Sequence, residues 1–150
     1  MPTLATNARA KFDYDILKKF EGGIVLTGQE VKSVRAGNVS LKGAYATLHG
    51  EEVFLLNAHI GPYKKAGALA GYEPTHTRKL LLRRREIKEL IGAIQSQGLT
   101  LIPMSLYTRG RRLKVELGLA RGRKKYEKRE VIRKRADERE MQREMKVKIR

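Results

Sequence analysis

Three histidines, His49, His59 and His76, are the side chains best suited to hold a metal or move a proton. They lie far apart and share no metal-ligand spacing. The chain has no cysteine, which excludes thiolate zinc sites and disulfides. Glu51 and Glu52 are adjacent carboxylates in an expected turn, where neighbours point to opposite sides, a poor arrangement for paired acid–base work. Neither a phosphate-cradling G-x-x-x-x-G-K-[ST] loop nor a G-x-S-x-G nucleophile turn occurs. Asn38-Val39-Ser40 matches a glycosylation acceptor but has no secretory context. The sequence therefore predicts no enzyme, no metal site and no cofactor.

What remains is basic chemistry. Lys32 and Arg35 sit three residues apart, which puts both on one side of a helix. Such a pair is ordinarily solvated surface, and Arg83-Arg84-Arg85 has the same everyday explanation. Tyr126 is more informative, because it lies between Lys124-Lys125 and Lys128-Arg129. An aromatic ring inside a basic run can stack on an unpaired base while its neighbours hold phosphates.

These groups belong to a chain of 150 residues with 33 Lys+Arg against 16 Asp+Glu, a formal charge of +17. The last thirty residues, 121–150, hold 14 basic and 6 acidic side chains, and no glycine or proline follows Gly122. Ile132, Ala136, Met141, Met145 and Ile149 drift around a helix instead of forming one narrow face. This tail has little to bury and is expected to order as a helix on a polyanion. Residues 1–120, enough for one core, are themselves basic by +9. Excess Lys/Arg favours nucleic acid, since phosphate binding releases condensed counterions. A membrane surface would call for Trp or Phe beside the cations, and the tail has neither. With no apolar run long enough for a signal peptide or for the roughly 20 residues of a membrane span, a cytoplasmic protein is expected.

The elements that must carry these residues read as follows. Residues 1–11 form a mobile arm. Phe12–Leu17 and Ile24–Leu26 are strands separated by Glu21-Gly22-Gly23. Thr27 followed by Glu30 predicts a capping box, and Gly37 predicts the end of that helix. Residues 44–48 and 53–60 make a hairpin, and Gly61–Pro74 a flexible basic loop. Ile87, Leu90, Ile91 and Ile94 define a helix ended by Gly98. Alternation slips phase near Pro103, predicting a bulge or an edge, and Leu113–Leu119 alternate cleanly. The fold class is mainly β: an OB-like antiparallel β-barrel of about six strands, with two or three short helices and a basic C-terminal tail that is helical when bound.

Several stretches in series resemble one family. Glu21 to Gly37, E-G-G-I-V-L-T-G-Q-E-V-K-S-V-R-A-G, is similar to the signature of the SmpB family, the tmRNA-binding proteins of bacterial trans-translation. So are Asn7-Ala8-Arg9 with Tyr14, Arg78–Leu82, and Arg121–Arg129. The resemblance implies an OB-like body that binds the tRNA-like domain of tmRNA as a monomer, and a tail that enters a stalled ribosome. It implies RNA-binding roles for Asn7, Arg9, Glu21 and Leu81, with Lys32 and Arg35 as phosphate contacts. It places Arg121, Arg123, Lys124, Tyr126, Glu127, Lys128 and Arg129 against small-subunit RNA in the decoding centre and mRNA channel. Glu127 stands where the family usually has Asp, and Arg121 and Arg123 stand for Lys. The rival expectation is a structural ribosomal or general RNA-coating protein with the same kind of body.

Overall fold

The structure is a computed structural model and describes residues 2–63, 71–122 and 125–149. Its elements in chain order are β1 (Thr3–Thr6), α1 (Ala10–Asp13), β2 (Tyr14–Ile24), α2 (Gly28–Arg35), β3 (Val39–Ser40), β4 (Tyr45–His49), β5 (Glu52–Leu56) and β6 (His59–Ile60). β7 (Arg78–Leu81), α3 (Arg84–Gln97), β8 (Thr100–Arg109), β9 (Arg112–Gly122) and α4 (Lys125–Ile149) complete it.

Six antiparallel strands close on themselves in the order β8-β4-β5-β7-β2-β9, with β9 returning to β8. β1 adds to β8 beyond the stretch that β4 uses, while β3 and β6 form a small separate ribbon. Closure removes open sheet edges. The OB-like barrel expected from the alternating segments is therefore present.

β8, which pairs with both β4 and β9, carries a bulge. Its register against β9 shifts between Pro103↔Leu117 and Ser105↔Glu116, leaving Met104 as the extra residue. The bulge reverses the phase of alternation, so Leu101 before it and Leu106 after it both join the main core. Ile102 and Met104 turn the other way, into a second cluster with Ala10 and Ala120 beneath α1. The phase slip read at Pro103 is this bulge.

α2 begins and ends as its sequence dictates. The Thr27 hydroxyl accepts from the Glu30 N–H at 3.2 Å, and the Glu30 carboxylate accepts from the Thr27 N–H at 3.1 Å. At the other end Gly37 takes φ +85°, Asn38 N–H reaches the Ser33 carbonyl, and Gly37 N–H reaches that of Val34. This is a Schellman turn, which requires a left-handed residue at that point. α3 likewise ends at left-handed Gly98 and buries Leu90 completely.

Several expectations need correction. Gly22-Gly23 does not separate two strands: β2 runs unbroken through it. Gly22 fits a tight spot inside the strand, since a Cβ there would lie 3.3 Å from the Leu81 carbonyl oxygen across the β2–β7 pairing. The strand starts at Tyr14, not Phe12, because Ala10–Asp13 form a helical turn that covers the second cluster. Thr3–Thr6, within the arm expected to be mobile, lie as a strand on β8.

The expected boundary at residue 120 falls inside β9, which continues through Gly122. Beyond it α4 is a continuous helix, and every side chain from Ile132 to Arg143 is exposed, Ile132 and Met141 included. That exposure fits the lack of a narrow apolar face.

Candidate nucleic-acid interface

Lys32 and Arg35 do lie on the outer side of α2, opposite buried Val34. Lys32 Nζ sits 5.8 Å from the centre of the Tyr63 ring. Arg35 donates to the Arg111 carbonyl oxygen at 2.8 Å, tying α2 to the turn between β8 and β9. Between these elements opens a cleft of about 490 Å³. Gly23, Ile24, Leu26, Val31, Leu81 and Leu113 line it with apolar surface, and Arg111, Arg112 and Lys114 supply charge. Leu81 is 53% exposed, unusual for a leucine in a barrel strand whose neighbour Leu80 is buried. Such a cleft can seat the flat face of a base on Leu81 while the cations take its phosphates.

Glu21 lies beside this cleft on β2. Its carboxylate accepts from the Tyr107 hydroxyl and from Arg109 Nη1, the latter at 2.8 and 3.1 Å. The Tyr107 hydrogen bond is the chief reason its pKa falls below the usual carboxylate range; Arg109 adds to this and burial opposes it. Burial and the Glu21 carboxylate together push the Tyr107 phenol well above its ordinary value. Neither Tyr107 nor Arg109 was expected from sequence. The available signal was their spacing of two on an alternating strand, which gives both the same face.

Asn7 and Arg9 are not part of this cleft. They line another, of about 810 Å³, together with Lys42 and Tyr45. Asn7 is tied to the bulge of β8: its N–H donates to the Met104 carbonyl at 2.8 Å and its Nδ2 to that of Pro103 at 3.1 Å. Arg9 lies 3.5 Å from Asp13 and stacks 5.4 Å from the Phe12 ring centre. The six expected body residues thus divide into two places. Glu21, Lys32, Arg35 and Leu81 surround the β8–β9 turn and α2, while Asn7 and Arg9 stand at the bulge.

A buried polar hub fixes α2 behind the first cleft. Arg78 Nε meets Glu30 Oε2 at 2.7 Å, and its other nitrogens donate to the Ala58 carbonyl at 2.7 Å and the Pro74 carbonyl at 2.8 Å. Tyr72 donates its one hydroxyl proton to the Ile60 carbonyl at 2.8 Å, with Glu30 Oε2 3.2 Å from the same oxygen, and the Ser33 hydroxyl donates to the Gly61 carbonyl. The ends of the loop expected to be flexible are therefore anchored; residues 64–70, with Lys64 and Lys65, lie outside the described residues. His76 is also spent here, 3.0 Å from Glu30. Among the described residues no three His, Asp or Glu are grouped to hold a metal, and no helix is long and apolar enough to cross a membrane.

In the tail, Arg121 closes β9 with its guanidinium 3.4 Å from Asp15. Arg123 and Lys124 lie outside the described residues. Tyr126, Glu127 and Lys128 fall in the opening turns of α4, where Arg129 is exposed.

Fold and cleft together define an OB-like barrel with a cationic face. The SmpB protein family matches residues 4–147, so the chain belongs to the SmpB family. The SsrA-binding protein of Chloroflexus aggregans is 51% identical over 98% of this chain and 93% of its own length. That of Acaryochloris marina is 49% identical over 95% of this chain and 93% of its own. A solved structure described as "tmRNA-SmpB: a journey to the center of the bacterial ribosome" superimposes with a TM-score of 0.65 at 46% identity. It covers 80% of this chain and 84% of that one.

Proposed function

We propose that this chain is a non-enzymatic RNA-binding adaptor of trans-translation in the bacterial cytoplasm. It binds the tRNA-like domain of tmRNA, delivers it to stalled ribosomes, and inserts its tail in the decoding centre and the empty mRNA channel. Family membership supports the tmRNA and ribosome partners. The observation that carries the body's part is the cleft joining exposed Leu81 to Arg111, Arg112 and Lys114, beside Glu21 and Arg35.

In this reading the cleft takes an unstacked base and its phosphates, and Lys32 and Arg35 hold neighbouring phosphates without reading sequence. Asn7 and Arg9 form a second contact at the bulge. Arg121, Arg123, Lys124, Tyr126, Lys128 and Arg129 meet small-subunit RNA, with Glu127 among them, and the rest of α4 fills the channel. A strongly basic tail whose side chains from Ile132 to Arg143 are exposed suits a groove walled by phosphate. An mRNA already in that channel excludes the tail by volume and by competing for the same cationic surface.

Competition binding at moderate salt tests the reading. The tRNA-like domain of tmRNA should displace labelled tmRNA far better than elongator tRNA or ribosomal RNA fragments. Equal displacement by all three, each with steep salt dependence, overturns it in favour of a general RNA-coating protein.

A further inference from the structure

Glu21 presents a problem of sign, because a carboxylate at an RNA surface repels phosphate. The geometry resolves it. Both Glu21 oxygens are engaged by Arg109, and one also takes the Tyr107 hydroxyl. Tyr107 is nearly buried, so it fixes the carboxylate from the barrel side. Arg109 lies on the solvent side, its side chain 62% exposed at the end of β8. Only Nη1 is used, so among the described residues Nε and Nη2 have no protein partner. Lys114 lies close enough to help depress the Glu21 pKa, which joins this group to the cation-lined cleft.

We infer that Arg109 is a phosphate-contacting residue of the RNA interface, and that Glu21, itself braced by Tyr107, is its positioning residue. The inference rests on the RNA-binding reading above and adds to it the residue through which Glu21 acts. An arginine held in place before binding loses less rotamer freedom when it meets a phosphate, and its remaining N–H groups form a planar fork suited to phosphate oxygens. A carboxylate that orients such an arginine favours RNA binding without touching RNA.

The test measures binding of the full chain to the tRNA-like domain of tmRNA across a potassium chloride series. Arg109→Gln should weaken binding and make the slope of log affinity against log salt shallower by about 0.7 to 0.9, one phosphate's share. Arg109→Lys, which keeps the charge, should keep the slope. Glu21→Gln should weaken binding with the slope unchanged, and Glu21→Gln combined with Arg109→Gln should bind no more weakly than Arg109→Gln alone. An unchanged slope in Arg109→Gln overturns the inference, as does a further loss from Glu21→Gln in that background. The slope alone decides if the Glu21 variant folds poorly. A wild type that does not bind this RNA overturns the functional reading and this inference together. A wild type that binds, with the Arg109→Gln slope unchanged, overturns the inference alone.

Discussion

Glu30 Oε2 and Arg78 Nε lie 2.7 Å apart with both side chains withdrawn from solvent, one on α2 and the other at the start of β7. The pair is the centre of the hub that fixes α2 and, through it, the outward placement of Lys32 and Arg35. Its weight follows from its burial. Removing one partner of a buried pair strands the other charge, at a cost of about 3–5 kcal/mol. Arg78→Met should therefore lower the urea unfolding free energy by that amount. Lys79→Ala breaks an exposed contact to Glu52 at 3.7 Å and should change it by under about 1 kcal/mol. Equal losses in the two variants would mean that the hub does not organise the domain.

Acid should loosen the fold with a defined sign. Burial pushes the Glu30 carboxyl up, but the Thr27 N–H, Arg78 and His76 together outweigh it and leave the pKa below its ordinary value. Glu21 is also lowered, chiefly by Tyr107. As pH falls, the unfolded chain takes up these protons first. The stabilisation is thus complete above the unfolded value near about 4.3 and disappears as pH falls through the depressed native values. Denaturation midpoints measured across that range should drop, and Glu30→Gln should flatten the drop. A variant whose acid limb matches that of wild type would contradict the assignment.

Alkali acts through Tyr107 in the opposite direction. Its raised pKa keeps the native phenol protonated after the unfolded one has ionised near about 10. Its contribution is present below that pH and is lost as pH rises toward the native value. Tyr107→Phe should make the alkaline fall in stability less steep, as followed by circular dichroism.

Asn7→Ala removes the donor to the Pro103 carbonyl while leaving the backbone bond to Met104. The expected loss is about 0.5–1.5 kcal/mol. Hydrogen exchange should quicken at amides flanking the bulge and remain unchanged at the β4–β5 hairpin. A weakening of RNA binding with protection unaltered would show that Asn7 acts on RNA directly.

The tail should separate from the body in function. Because β9 runs through Gly122, a truncation that respects the barrel ends there. Residues 1–122 should still bind tmRNA and fail to support peptide tagging on stalled ribosomes. Loss of tmRNA binding, measured by gel shift, would sink the proposed division of labour.

Local signals were legible in the sequence where one residue type had one physical job. Thr27, Glu30 and Gly37 marked both ends of α2, and the slip of alternation at Pro103 marked the bulge. Gly22-Gly23 misled because Gly22 sits against the carbonyl of Leu81, a strand partner far away in sequence. Arg78 gave no sign of burial, since its neighbours in the chain do not reveal that Glu30, Ala58 and Pro74 converge on it. Of the candidate site, the residues themselves offered only the cations of α2; Leu81 and Glu21 came from the family resemblance. Its partition into two clefts depends on long-range pairing, and so does the clamp on Arg109.

The pairing of β2 with β9 also sets the order in which the protein can come into being. Asp15 and Arg121 face each other across that pairing although 106 residues separate them. A nascent chain therefore exposes one edge of β2 until β9 has been made, and the barrel cannot shut before then. Loop closure over such a span is slow relative to local hairpins. Until β9 has been made, any sheet the nascent chain forms keeps a strand edge open to chaperones or to the wrong partner.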